Sequence, residues 1–176
     1  MLFCGMYEAN VTPSLGGQIP GYFAPRLATG IKDELYAKAA YIENENCSVI
    51  IVAVDACSLS NSITWKIRKR ISEASGVDGQ NIMVSCTHTH TGGPVEAWGN
   101  LLKQDEAYVQ FLIAKCADAA IAAMQSKKRA RLGFGSGIEE DTAFHRRYVM
   151  KDGSIKTNPG IGNVEVVRPA GPIDHE

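Results

Sequence analysis

The stretch that decides the fold is Ser48-Val49-Ile50-Ile51-Val52-Ala53-Val54, which is uncharged and rich in β-branched residues. Because both of its faces are apolar, it predicts a central strand covered on both sides of a sheet. Residues 36–43 have the composition of a second strand, and the polar turn Asn44-Glu45-Asn46 predicts a hairpin between the two. Asp55 follows the central strand at its carboxyl end, where α/β sheets usually place functional groups.

Strands and helices alternate along the rest of the chain. The periodicity predicts strands over 2–11, 81–86, 130–138, 148–157 and 163–167, and helices over 61–76 and 105–125. Asn61 is the predicted N-cap and Gly76 the stop of the first helix, and Asp152-Gly153 fits a type I′ hairpin turn. This order predicts an α/β fold, specifically a mixed-sheet α/β sandwich, as a single domain over residues 1–176. The Gly- and Pro-rich residues 14–33 predict a long surface loop of the kind that often binds ligands.

The strand over 81–86 leads directly into Thr87-His88-Thr89-His90-Thr91-Gly92-Gly93-Pro94. Side chains two residues apart on an extended backbone point to the same side, so His88 and His90 are expected to face one pocket. Neutral imidazole is a common zinc ligand, and the glycines would turn the chain sharply after the second histidine. From the pattern alone, a metal site and a hydrogen-bonded structural pair are about equally good interpretations.

A catalytic zinc site needs three protein ligands and an open position for water. The sequence offers Asp55, Cys86 and His145 as further candidates, and none of them completes a recognised ligand spacing. The cluster around Arg146 and Arg147 is a second place where chemistry could occur. An inward arginine would bind a carboxylate, a phosphate or an oxyanion, whereas two surface arginines at a strand edge are the structural alternative.

Composition excludes several classes of protein. A net charge of -1 over 176 residues gives no electrostatic reason to expect nucleic acid or an anionic membrane as a partner. No apolar run approaches the roughly 20 residues that span a bilayer, so no transmembrane segment is expected. The five cysteines are scattered and odd in number, which argues against a disulfide framework. Together with the lack of a recognisable secretory signal, they predict a cytoplasmic location.

An ordered set of motifs resembles the N-terminal catalytic region of the neutral/alkaline, non-lysosomal ceramidase family. The matching pieces are Glu8–Pro13, Gly21-Tyr22, Gly30–Ala39, Val52–Asp55, Cys86–Pro94, Arg146–Tyr148, Asn158–Gly160 and Arg168–Asp174. The histidine segment is the specific part, and the other pieces gain weight from their order. The Lys151-Asp152-Gly153 hairpin is similar to the shorter bacterial members, whose substrates need not be ceramides.

The resemblance implies a zinc-dependent amidase that hydrolyses an N-acyl bond, with attack by metal-bound water. It assigns His88 as a zinc ligand, His90 and Arg146 as catalytic residues beside the metal, and Gly21 as a backbone contact to the substrate. The substrate would be a small N-acyl molecule, and a lipid is one option within that class. The chain would then be an N-terminal portion of a larger catalytic domain.

Two departures from the family pattern qualify this interpretation. Between Thr91 and Pro94 this chain has two glycines, Gly92 and Gly93, which is one more than the family has there. His145 occupies the position before the arginine where the family usually has asparagine. The family's other ligands, a histidine, a glutamate and a tyrosine, come from sequence beyond Glu176. We therefore expect the isolated chain to hold Zn²⁺ weakly and to be inactive or nearly so, unless His145 or another chain completes the site. The alternative is a non-catalytic binding module or a truncated relic of the same scaffold; open sheet edges could also support a homo-oligomer.

Overall fold

A computed structural model describes residues 1–173 of the chain. The strands are β1 (Phe3–Asn10), β2 (Tyr36–Glu43), β3 (Ser48–Val54), β4 (Ile82–Cys86), β5 (Lys128–Arg129), β6 (Arg147–Met150), β7 (Ile155–Thr157) and β8 (Val166–Pro169). The α-helices are α1 (Asn61–Ser75) and α2 (Glu106–Gln125), and a short 3₁₀ turn at Gly79–Asn81 precedes β4. Asp174, the last residue of the family-like motifs, lies outside the described residues, as do His175 and Glu176.

The chain packs as two compact units, Met1–Arg131 and Leu132–Glu176. The first unit contains a five-stranded sheet in the order β4-β3-β2-β1-β5. β3 and β4 are parallel, whereas the pairs β1–β2, β2–β3 and β1–β5 are antiparallel. This mixed sheet with its two helices confirms the predicted α/β class. The expectation of one domain over residues 1–176 stays a prediction.

The core of the first unit lies on one face of the sheet. Ile50, Val52 and Val54 of β3 are fully buried there, in one cluster with residues of both helices. α1 contributes Ile63, Ile67 and Ile71, whose four-residue spacing places them on one face of the helix. α2 is long and apolar enough to cross a membrane by length and composition alone, and half of its apolar window is buried inside the protein. Its packing against β1, β2 and α1 accounts for that apolar composition.

Within the first unit, no described element covers the other face of the sheet. Met6, Ala40, Ile51 and Met83 lie in register across four strands there. Met6 is 71% exposed, Ile51 40% and Met83 59%. The prediction that β3 is covered on both sides was therefore wrong for this structure, because both helices pack against the same face.

The caps of α1 differ from the prediction at its start and agree with it at its end. Ser60, not Asn61, is the N-cap of α1, and its side chain accepts a hydrogen bond from the backbone N–H of Ile63. Gly76 ends the helix in the left-handed conformation, as expected. Asp105 caps α2 by accepting from the backbone N–H of Tyr108 at 3.0 Å.

The second unit contains a three-stranded antiparallel sheet in the order β7-β6-β8. The predicted strand over 130–138 was wrong: residues 132–138 form no strand and are exposed. Its three glycines offer no side chains to pack, and only Lys128–Arg129 pairs with β1. The predicted last strand is shifted to Val166–Pro169, where it pairs with β6.

The β6–β7 hairpin forms, but its turn is not type I′. A type I′ turn needs positive φ at both central residues, and here Gly153 has φ 79° whereas Asp152 is not in that region. The N–H of Gly153 donates to the carbonyl of Met150 at 3.0 Å, and Met150 N–H donates to Ser154 at 2.8 Å. The loop therefore has three residues and places its glycine at the left-handed position.

Candidate metal centre

The histidine segment begins at the carboxyl end of the parallel strands. β4 ends at Cys86, which pairs with Val54 of β3. Asp55 links the start of the histidine segment to β2. One carboxylate oxygen accepts a hydrogen bond from the backbone N–H of Tyr36 at 2.9 Å, and the other accepts one from the Thr87 hydroxyl at 3.1 Å. These hydrogen bonds give Asp55 a structural role at this edge of the sheet.

His88 is held in an uncommon backbone conformation. Its φ is 63°, in the left-handed region that non-glycine residues rarely occupy. Its ring nitrogen Nδ1 lies 2.7 Å from the carbonyl oxygen of Cys57. Since a carbonyl can only accept, Nδ1 carries the proton and donates, which leaves the lone pair of Nε2 free for a metal ion or a second hydrogen bond.

The two imidazoles converge. Nε2 of His88 lies 3.3 Å from Nε2 of His90, and the ring centroids are 4.9 Å apart at an interplanar angle of 79°. The predicted convergence is thus present, but its predicted cause was wrong. The backbone is not extended at His88, since the strand ends two residues earlier, and the left-handed turn brings the rings together instead.

The loop before β2 holds His90 in place. Gly21, with φ 96°, lies against the His90 ring so closely that a β-carbon there would be 2.4 Å from Cγ of the imidazole. The Tyr22 ring meets the His90 ring edge-on at 6.3 Å between centroids. Arg26 donates to the backbone carbonyl of His90 at 2.6 Å, and its guanidinium stacks 3.6 Å from the centre of the Tyr22 ring. The sequence analysis included Tyr22 only as part of the Gly21-Tyr22 motif and did not single out Arg26.

Cys57 is the third member of the cluster. Its sulfur and one nitrogen of each histidine all lie within 4.8 Å of one another. The Cys57 side chain is buried, whereas both histidines are exposed, so the cluster lies at a boundary between core and solvent. Burial, and then the nearby Cys86, raise the pKa of the Cys57 thiol. Sequence reasoning missed Cys57, because Cys57 and His88 are 31 residues apart and belong to different loops.

The separation of the imidazoles fits a tetrahedral metal ion. Two nitrogen ligands about 2.0–2.1 Å from a tetrahedral zinc ion lie about 3.3–3.4 Å apart. The observed separation of the two Nε2 atoms is 3.3 Å. The hydrogen bond from Nδ1 of His88 to a backbone carbonyl is also the outer contact that metal-binding histidines commonly make. The residues present therefore fit a metal ion.

The two glycines after the histidines are fixed by close packing. A β-carbon on Gly93 would lie 2.2 Å from the ring of Tyr108, and one on Gly92 would lie 3.2 Å from Cα of Ala56. The Tyr108 hydroxyl donates to the carbonyl of Val11 at 2.7 Å, and burial raises the pKa of this phenol well above its ordinary value. These contacts attach the histidine segment to α2 and to the end of β1.

A cleft of about 560 Å³ lies beside the histidine segment. Its walls come from the Gly- and Pro-rich loop, Leu35 just before β2, Asp55, and residues of the histidine segment. They include Leu15, Ile19, Ile31, Thr89 and Thr91. Thr89 and Thr91, which flank His90 in the sequence, line the cleft, whereas Cys57, His88 and His90 are not among its lining residues.

The other sequence-predicted residues have different surroundings. Cys86 is outside the cluster and donates its thiol to the carbonyl of Cys57 at 3.7 Å. Arg146 and His145 belong to the second unit, directly before β6. There Nδ1 of His145 lies 2.9 Å from the carbonyl oxygen and 3.1 Å from the backbone nitrogen of Arg147. The catalytic role assigned to Arg146 remains a prediction.

The fold and the cluster define a class: a mixed-sheet α/β protein with a cysteine–histidine–histidine group that could hold a metal ion beside the ends of its parallel strands. No family model and no curated protein sequence matches the chain. Among solved structures, it is similar to the neutral ceramidase of Pseudomonas aeruginosa, with a TM-score of 0.74 and 22% identity over 82% of this chain. It is similar to a ceramidase complexed with C2 at a TM-score of 0.73 and 21% identity, also over 82% of this chain.

The chain therefore has the fold of part of neutral ceramidase, which confirms the resemblance at the level of the fold. It spans 25% and 24% of the lengths of those two proteins.

Proposed function

We propose that the chain forms part of the active site of a zinc-dependent amidase that cleaves an N-acyl bond, as in ceramide hydrolysis. The observation that supports this most directly is the 3.3 Å approach of two Nε2 atoms, with Nδ1 of His88 already committed to a backbone carbonyl. Both rings are exposed, so an ion from solvent could reach the free lone pair of His88 Nε2.

The substrate class follows from the structural relatives. Both are ceramidases, so a lipid amide is the first substrate to test. The cleft beside the histidine segment is lined by apolar as well as polar residues, among them Leu15, Ile19 and Ile31. We propose that this cleft receives part of the N-acyl substrate.

Each residue of the proposed site has its own part in the reaction. His88 would hold a zinc ion through Nε2, and His90 would contact polar groups of the substrate. The catalytic role that the resemblance implies for Arg146 is part of the same proposal. A bound zinc ion supplies Lewis-acid polarisation of the amide carbonyl and activation of water. Gly21 contributes a backbone contact to the substrate, in addition to the space that it leaves for the His90 ring.

The isolated chain is expected to hydrolyse little or nothing. Two histidines alone hold zinc weakly, since catalytic zinc sites use three protein ligands. In the family that the chain resembles, the remaining ligands come from later sequence, and the chain spans about a quarter of the length of its structural relatives. A cytoplasmic location and self-association through the edges of the sheet are part of the same proposal.

Substitution of His88 tests the function directly. In the protein that contains this chain together with any further ligands, His88→Ala should abolish zinc retention and hydrolysis of an N-acyl amide. Lys66→Ala, on the exposed face of α1, is the control, because Lys66 lies outside both the histidine cluster and the cleft. If His88→Ala lowers only the melting temperature and leaves zinc content unchanged, the non-catalytic binding module is the better interpretation.

A further inference from the structure

Cys57 is placed against the histidines by the turn that follows β3. The N–H of Ala56 donates to the carbonyl of Val54 at 2.8 Å, which bends the chain directly after the strand. The Cys57 carbonyl then receives both Nδ1 of His88, at 2.7 Å, and the Cys86 thiol, at 3.7 Å. The backbone of Cys57 is therefore fixed, and its sulfur lies 4.0 Å from Nδ1 of His88.

The set of ligand atoms selects one class of metal ion. A thiolate with two imidazoles suits zinc, cobalt and copper, whereas magnesium and calcium prefer oxygen ligands. The three ligand atoms lie within 4.8 Å of one another, against about 3.3–3.6 Å for nitrogen and sulfur ligands around a tetrahedral ion. The two Nε2 atoms already have the required separation, so metal binding would need the Cys57 sulfur to move closer to them.

We propose that Cys57, His88 and His90 form a three-ligand site within this chain for a zinc-class divalent ion, with the Cys57 thiolate as the third ligand. The thiol proton leaves to solvent when the ion binds, so one proton is released from Cys57 for each ion bound. The fourth position stays open, because both histidines are exposed on the solvent side of the cluster.

This inference rests on the metal site of the proposed function. It differs in the role of His90, which here is a metal ligand and not a substrate contact. Nε2 of His90 cannot bind the ion and donate a hydrogen bond to substrate at the same time. A His₂Cys set also makes metal binding independent of sequence outside the chain. The isolated chain would then retain a thiophilic ion even without hydrolysing anything.

Cobalt binding to the isolated chain tests the ligand set, because Co²⁺ replaces zinc and absorbs visibly in a tetrahedral site. Titration of the reduced, metal-free chain with Co²⁺ should give a thiolate-to-cobalt charge-transfer band in the near ultraviolet together with visible bands. Cys57→Ser should remove the charge-transfer band and weaken Co²⁺ binding by at least roughly tenfold. His90→Ala should weaken binding similarly while keeping the charge-transfer band.

Two other cysteines serve as controls, with circular dichroism to show that each variant is folded. Cys86→Ser changes the adjacent thiol and Cys47→Ser an exposed one, and both should leave the cobalt spectrum unchanged. Zn²⁺ should displace the cobalt and Mg²⁺ should not. A spectrum without a thiolate band, or a band that disappears with Cys86→Ser and survives Cys57→Ser, would overturn the inference.

The result separates this inference from the proposed function. If the thiolate band is present but the complete protein has no amidase activity, the metal site stands and the amidase proposal fails. If the band is absent but His88→Ala abolishes zinc and hydrolysis, the amidase proposal stands and Cys57 is not a ligand.

Discussion

Gly21 and His90 are in direct contact: a β-carbon at residue 21 would lie 2.4 Å from Cγ and 2.7 Å from Nδ1 of the imidazole. No ordinary side-chain contact is that close, so a larger residue at this position must displace the ring. Gly21 thus helps to set the 3.3 Å separation between the two Nε2 atoms.

Gly21→Ala should therefore weaken metal binding by about tenfold or more, since displaced ligands no longer meet the required geometry. Isothermal titration with Co²⁺ or Zn²⁺ would measure the change. Gly16→Ala is the matched control, because Gly16 also has a positive φ, 82°, but has nothing within 4 Å of the added carbon. Equal loss of metal affinity in both variants would mean that backbone strain, and not contact with His90, is responsible.

Adjacent residues of β3 should respond very differently to truncation. Ile50 is fully buried under the helices and Ile51 is 40% exposed on the other face. Ile50→Ala should lower the free energy of unfolding by about 2–5 kcal/mol, because it leaves a cavity in the core. Ile51→Ala should cost less than about 1 kcal/mol, and urea denaturation of both variants checks the difference. Similar losses would show that another segment or a second copy covers the outer face in solution.

The cap of α1 provides a second matched pair. Ser60 accepts a hydrogen bond from the first turn, whereas Asn61 is already inside the helix. Ser60→Ala should destabilise the protein by about 1 kcal/mol, and Asn61→Ala should be close to neutral. Thermal unfolding of the two variants measures this, and a larger loss for Asn61→Ala would restore the cap that the sequence alone favours.

The β6–β7 turn gives a prediction for pH. The Ser154 hydroxyl, and after it the Ser154 backbone N–H, hold the pKa of Asp152 below its ordinary value of 3.8. These bonds are 2.6 Å and 2.9 Å long. A lowered pKa means that the stabilisation is fully present above the ordinary pKa and is lost as the pH falls through the lowered one.

Ser154→Ala should therefore raise the pKa of Asp152 towards its ordinary value, which NMR titration of the carboxyl carbon would record. Lys156→Ala should raise it less, because the lysine charge is a smaller contribution than either Ser154 bond. A larger change with Lys156→Ala would show that charge, and not hydrogen bonding, controls this carboxyl group.

Local patterns were sufficient for most of the first unit. The limits of β2 and β3 and the hairpin between them follow from alternation and a polar turn, and the buried isoleucines of α1 follow from four-residue spacing. The sequence was less informative after Arg131. The alternating glycines there have the period of a strand but supply no side chains that could pack, and residues 132–138 form no strand. The N-cap of α1 is one residue earlier than predicted, because Ser60 and Asn61 are adjacent and both residue types are good caps. The β6–β7 loop is one residue longer than the predicted two-residue turn.

The sequence by itself determined the mixed α/β class and pointed to His88 and His90, since both depend on residues close together in the chain. Only the tertiary structure decided how the imidazoles meet, through the left-handed backbone of His88, and which residues surround them. Gly21, Arg26 and Cys57 reach the histidines from distant loops. Such contacts depend on how the parallel strands β3 and β4 bring their ends together, and no local pattern of hydrophobicity encodes that arrangement.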